Sequence, residues 1–160
     1  MESQQGRQKY SVMHSFTSCL VHCVWSTKNR EPCLTIELRG RLWPYLGGIA
    51  KQNQIKAFAI GGASDHVHVL LSLPATLSLV KAMQLLKGNS SKWIRETFPK
   101  IRSFAWQEGY GAFSVGVSGV DATVAYIRNQ AEHHRTRSFR EEYMAMLKKH
   151  GFAYEESRLA

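Results

Sequence analysis

The sequence predicts an α+β domain of the ferredoxin-like (RRM-like) kind. In that fold a split β-α-β sandwich carries a four-stranded antiparallel sheet on two backing helices, here with further helices at the C-terminal end. Three observations predict it. Apolar, β-branched runs and stretches of helical spacing follow one another in the order β-α-β-β-α-β. Turn residues punctuate them, most clearly Gly61-Gly62-Ala63-Ser64 and Pro74. The chain has 160 residues, enough for one domain with a real core and short for two.

Residues 1–13 are polar and without periodicity, and read as a flexible arm. Phe16 to Trp25, rich in Cys, Val, Leu and Trp, reads as a central strand ending in the basic loop Ser26-Thr27-Lys28-Asn29-Arg30. Between Pro32 and Gln54, Leu34, Leu38, Leu42, Leu46 and Ile49 fall at helical spacing, with Pro44 expected to kink or split the helix. Ile55 to Ile60 is a short strand, and Gly61 to Ser64 a tight turn into a second strand, Asp65 to Leu71. Side chains two apart on a strand share a face, so His66 and His68 project together, on the accessible face of this hairpin.

Thr76 or Ser78 caps a helix running to about Phe98, with Leu79, Met83, Leu86 and Trp93 on one stripe. Its outer face carries Lys81, Lys87, Asn89, Ser90, Lys92 and Arg95, a basic and small-polar surface suited to backbone phosphates. Gly111 to Val117 reads as the fourth strand. A helix capped by Ser118 or Asp121 then runs to about His134, and places Tyr126 and Gln130 on a common face with His133 and His134. A last amphipathic helix, about Ser138 to His150, stops at Gly151 and has Phe139, Tyr143, Met146 and Leu147 as its apolar stripe.

Charge narrows the class of partner. The chain has 21 Lys+Arg against 12 Asp+Glu, a net charge of +9, which favours a polyanion: nucleic acid first, an anionic membrane surface second. No stretch has the apolar length of a transmembrane helix and the first residues lack an apolar signal segment, so a cytoplasmic protein is expected. Cys19, Cys23 and Cys33 are odd in number and lack Cys-x-x-Cys spacing, which favours packed free thiols over a zinc or disulfide role.

Paired imidazoles are half of a divalent-metal site. On the predicted topology the histidine strand is central, and a C-terminal helix crossing its open face brings Gln130 in as an oxygen ligand and Tyr126 beside it. Such a set leaves positions for phosphate and water, and suits Mg²⁺ or Mn²⁺. A tyrosine hydroxyl, with a free pKa near about 10, is a poor nucleophile unless the phosphoryl group it attacks is polarised.

Taken together, Asp65-His66-Val67-His68-Val69-Leu70-Leu71 after Gly61-Gly62, the early Val24-Trp25-Ser26-Thr27-Lys28-Asn29-Arg30 and the late Tyr126-Ile127-Arg128-Asn129-Gln130 resemble the single-tyrosine transposases of the insertion-sequence-200-like family, with the REP-associated tyrosine transposases as cousins. The resemblance covers about residues 14 to 135, read as the transposase domain, with 136–160 as a basic helical extension. It implies His66 and His68 as paired metal ligands, Gln130 as the third and Tyr126 as nucleophile. It further implies nicking and rejoining of single-stranded DNA beside hairpins through a covalent 5′-phosphotyrosine, in a homodimer whose active sites can be completed in trans. By charge and position, Lys28, Arg30, Lys87, Asn89, Lys92 and Arg135 are the expected DNA contacts. The sequence departs from the family at Asn29, where an aromatic or similar residue is common, and in the extra helix from residue 138, with Arg135, Arg137 and Arg140. A domesticated relative or a ferredoxin-like nucleic-acid-binding module without chemistry would share the fold and charge. The module would not need Tyr126 and Gln130 on one helical face. A metal-storage or sensor protein would need the histidines, but not the basic helix faces.

Overall fold

The computed structural model describes residues 15–130 and 136–154; the expected arm at 1–13, His133, His134 and Arg135 lie outside the described residues. Four strands form one antiparallel sheet in the order β2-β3-β1-β4: β1 (Leu20–Ser26), β2 (Lys56–Gly62), β3 (His66–Ser72) and β4 (Gly111–Ser114). Helices α1 (Ile36–Gln52) and α2 (Leu79–Thr97) cover one face, and α3 (Val120–Arg128) and α4 (Phe139–Lys149) lie on the other. This is the split β-α-β sandwich expected from the order of periodicities.

Cys23 and Trp25 of β1 and Val67, Val69 and Leu71 of β3 join Leu38, Leu42, Leu46 and Ile49 of α1 and Met83, Leu86 and Ile94 of α2 in the main core. The side-chain oxygens of Thr35 and Ser78 accept the backbone N–H of Leu38 and Lys81, capping the two helices. Pro44 does not split α1, which runs through it as one helix. The buried leucines on both sides of Pro44 hold the two halves on a common stripe, which outweighs the lost hydrogen bond.

Several boundaries differ from those expected. β1 starts at Leu20 rather than Phe16, which is exposed. Gly61 and Gly62 belong to β2, paired with His68 and Val67, and the turn falls at Ala63 to Asp65. β4 ends at Ser114, short of Val117, and a turn of 3-10 helix over Val117–Gly119 leads into α3, whose N-cap is Gly119 with no side-chain cap. Ser90, expected on the outer face of α2, is buried and accepts the indole N–H of Trp106 at 2.9 Å. The largest correction concerns the histidines. His66 and His68 are fully buried, because α3 and α4 close over the face that the hairpin alone would leave accessible.

Two glycines make that closure possible. Gly61 pairs with His68 and Gly111 with Val24, so neither adds a side chain to the face on which the helices land. A Cβ on Gly61 would stand 2.5 Å from the Ile127 carbonyl oxygen of α3, and one on Gly111 would stand 2.7 Å from the Tyr143 ring of α4. Hydrocarbon completes each docking: Ile127 meets Ala59 and Leu70, while Phe139 meets Val24 and Phe113. The Ser138 hydroxyl caps α4 through the Glu141 N–H, and Gly151, at φ +74°, follows its end.

Candidate active site

The second face of the sheet holds a connected set of polar side chains. His66 and His68 point into it from β3, and His22 reaches it from β1, diagonal to His68 in the strand register. α3 places Tyr126 over the histidines and Gln130 follows two residues past its end. α4 inserts Glu142, whose side chain is 2 % exposed.

Asp65 Oδ1 lies 2.7 Å from His66 Nδ1. A neutral ring donating Nδ1–H to that carboxylate turns the lone pair of Nε2 into the site, the arrangement common behind metal-ligating histidines. Nε2 then lies 2.8 Å from Gln130 Oε1 and 3.8 Å from Glu142 Oε1. His68 Nε2 is 2.7 Å from Glu142 Oε1, and its Nδ1 is 2.8 Å from His22 Nε2. Tyr126 donates its hydroxyl to Glu142 Oε2, and Gln130 Nε2 donates to the same oxygen at 3.3 Å.

Three acceptor atoms therefore converge: the lone pair of His66 Nε2, the Gln130 amide oxygen and a carboxylate oxygen of Glu142. In that tautomer all three could serve as ligands to one cation. His66, His68 and Glu142 offer ligand atoms all within 4.8 Å of one another, and a donor set of imidazole, carboxylate and amide oxygen fits a divalent ion. For His68 to bind one, its Nε2 must give up its proton and its Nδ1–H must instead donate to His22, so His22 would hold the tautomer that the metal requires.

Electrostatics bear on two of these groups. Burial, then the neighbouring His68, pushes His22 down to about 3, so its ring is neutral at pH 7. Burial, then the hydrogen bond to Glu142, pushes the Tyr126 phenol above its ordinary value. Tyr126 at rest is thus a protonated phenol.

The structure brings together four residues singled out in the sequence, His66, His68, Tyr126 and Gln130, all within one chain. Sequence reasoning missed Glu142 and His22. Glu142 looks like an ordinary first-turn helix acid, and its one signal was its place beside the apolar stripe Phe139–Tyr143–Met146. His22 sits in an apolar run, three residues after Cys19 and directly before Cys23. The expected DNA contacts among the described residues lie on the turn after β1 and on α2. Lys28, Asn89 and Lys92 are exposed and Arg30 is half-buried, while the Lys87 ammonium donates to the carbonyls of Gln107 and Gly109 at 2.8 and 2.6 Å.

Comparison with known proteins gives a consistent result. Residues 15–130 match the family model described as "Transposase IS200 like". The chain is 28% identical over 128 residues to the transposase for insertion sequence element IS200 of Salmonella typhimurium, covering 76% of this chain and 83% of that protein. It is 29% identical over 85 residues to the ISDra2 transposase TnpA of Deinococcus radiodurans, covering 53% of this chain and 61% of that one. A crystal structure of a Deinococcus radiodurans R1 protein described as a transposase superposes with a TM-score of 0.62 at 26% identity, over 74% of this chain and 95% of that one. The fold is shared also with a REP-associated tyrosine transposase bound to a REP hairpin, at a TM-score of 0.58 and 12% identity, over 78% and 73% of the two chains. The family match ends at Gln130, so α4 and its Glu142 lie beyond it.

Proposed function

Because this chain belongs to the IS200-like transposase family, we propose that it nicks and rejoins single-stranded DNA beside hairpins, with Tyr126 as nucleophile and a divalent ion, Mg²⁺ or Mn²⁺, bound by His66, His68 and Gln130 with Glu142. The observation that carries this reading is the hydroxyl of Tyr126 held against the carboxylate that also contacts His68. A nucleophile within reach of a metal-type donor set is what phosphoryl transfer requires.

A bound ion would polarise the phosphoryl oxygens and stabilise the charge that develops as they are attacked. Tyr126 bonds to phosphorus, the bond from phosphorus to the 3′ oxygen breaks, and a 5′-phosphotyrosine and a free 3′-hydroxyl result. The phenol proton, donated to Glu142 at rest, passes to that carboxylate as the new bond forms, and the departing 3′ oxygen takes up a proton in its place, so the exchange is balanced. Asp65 and His22 orient the two histidine rings, and Phe139, stacked on His66 at 4.5 Å between ring centroids, keeps water from that side.

For the DNA we propose contacts from Lys28, Arg30, Asn89 and Lys92, with Arg135 also a candidate. The loop at Lys28 and the α2 surface meet on one strip, since Ala105 accepts the Lys28 N–H and Gln107 accepts from Asn29 and Lys87. Lys87 serves that surface by holding the strip in place. A homodimer is expected in solution, readable as twice the chain mass by light scattering; the residues above support a centre completed within each chain.

The test is incubation with single-stranded hairpin DNA and Mg²⁺ or Mn²⁺, followed by denaturing electrophoresis for a covalent protein–DNA adduct. Wild type forms it, Tyr126→Phe forms none, and His66→Ala loses metal-dependent cleavage. An adduct undiminished in Tyr126→Phe would refute the nucleophile. Binding of the hairpin with no adduct under any metal would favour a binding module without chemistry.

A further inference from the structure

Between α3 and α4, with Tyr126 and Glu142 in its wall, lies a cavity of about 410 Å³. Its apolar lining comes from Ala122 of α3 and Ala145 and Met146 of α4, and Arg137 and Lys149 border it. Arg137 acts electrostatically on Tyr126, and Lys149 on His22, so both cations stand within reach of the catalytic centre. The carboxylate in the wall, Glu142, is bonded to His68 and Tyr126.

We infer that this cavity is a subsite for one nucleotide of the single-stranded DNA, the one flanking the phosphorus that Tyr126 attacks, and that the C-terminal extension supplies most of it. The inference rests on the transposase reading of Tyr126 and names the part of the substrate that α4 would hold. The volume is of the order that small ligands occupy, about 300–1,000 Å³. Two alanines and a methionine make a floor for a base, whose face needs hydrocarbon or a ring rather than hydrogen bonds. Two cations at the border suit the phosphates on either side of that base. Tyr126 in the cavity wall puts an occupant beside the reacting atom, so it would set the position of the scissile phosphate as well as add affinity. Arg137 and Lys149 are exposed, and replacing them leaves the packing of α4 through Phe139 intact.

The experiment uses the full chain carrying Tyr126→Phe, which keeps the DNA uncut. Its affinity is measured by fluorescence anisotropy for a labelled hairpin with a short single-stranded tail and for the same hairpin without one. The tail is expected to tighten binding. Arg137→Ala with Lys149→Ala should cut the tail's contribution about tenfold and lower the salt slope by about 1 to 2, while the tailless hairpin binds as before. Ala145→Trp, which fills the cavity, should remove the tail's contribution with no change in salt slope for the tailless hairpin; circular dichroism melting reports whether each variant is folded. An unchanged tail contribution in the folded Arg137/Lys149 variant overturns the subsite. The two readings fail separately. A wild type that forms no adduct but loses tail affinity in the variants sinks the cleavage chemistry and keeps the subsite. An adduct-forming wild type with unaltered tail affinity in the variants does the reverse.

Discussion

On β3 every side chain from His66 to Leu71 is buried, yet the two faces of the strand are buried in different media. Val67, Val69 and Leu71 meet the leucines of α1 and α2, and their stabilisation is removal of hydrocarbon from water, about 1.5–3 kcal/mol for each side chain fully buried. His66 and His68 meet carboxylates, an amide and another imidazole. Burial there costs free energy unless each polar atom finds a partner; Asp65 supplies one to His66 Nδ1, and Glu142 and His22 supply them to the two nitrogens of His68. The contrast extends to β1. Trp25 Nε1, on the dry side, is among the described residues a buried side-chain nitrogen without a hydrogen bond, whereas His22 on the other side is bonded to His68. The dry face can tolerate a stranded donor because its remaining contacts are numerous and apolar. The polar face owes its order to its pairing, and a change there should alter chemistry before it alters the fold.

The comparison breaks most visibly by truncating the dry face. Leu71→Ala should lower unfolding stability by about 2–5 kcal/mol, read from denaturant midpoints, while the metal bound per folded molecule stays as in wild type. Loss of metal affinity in the folded variant would show that the two faces are coupled. A smaller effect on stability, but a direct one on chemistry, is expected from Gly61→Ala. The added methyl pushes on the Ile127 carbonyl and moves Tyr126 and Gln130, and adduct formation should fall about a hundredfold in a protein that still melts cooperatively. Wild-type adduct yield in that variant would mean that α3 does not need this close approach. The gentlest probe is thiol labelling. Burial raises the Cys23 thiol to about 12, so at pH 8 it is almost wholly protonated as well as shielded, and only on unfolding should a maleimide reach it. Exposed Cys19 should label in the native protein; rapid labelling of Cys23 would mean that the dry face opens.

Much of this was legible along the chain. Hydrophobic periods of two and of 3.6 residues, with Gly and Pro between them, identify strands and helices because each element must bury one side of itself. The same local rule puts His66 and His68 on one face, and Tyr126 and Gln130 four residues apart. It misled at Pro44, where core contacts on either side override a local cost, and at Gly61, whose missing side chain looked like a turn but makes room for a helix.

What the sequence determined by itself was therefore the order of elements, the sign of the charge, the histidine pair and the family signature, all of which depend on neighbours in the chain or on composition. Only the tertiary structure decided that the histidines are buried, that His22 backs His68, and that Glu142 enters the centre from a helix beyond the family-matched segment. Those depend on which helix lands on which strand, and that is settled by shape: two missing side chains at Gly61 and Gly111, and the hydrocarbon of Ile127 and Phe139 that fills the space around them.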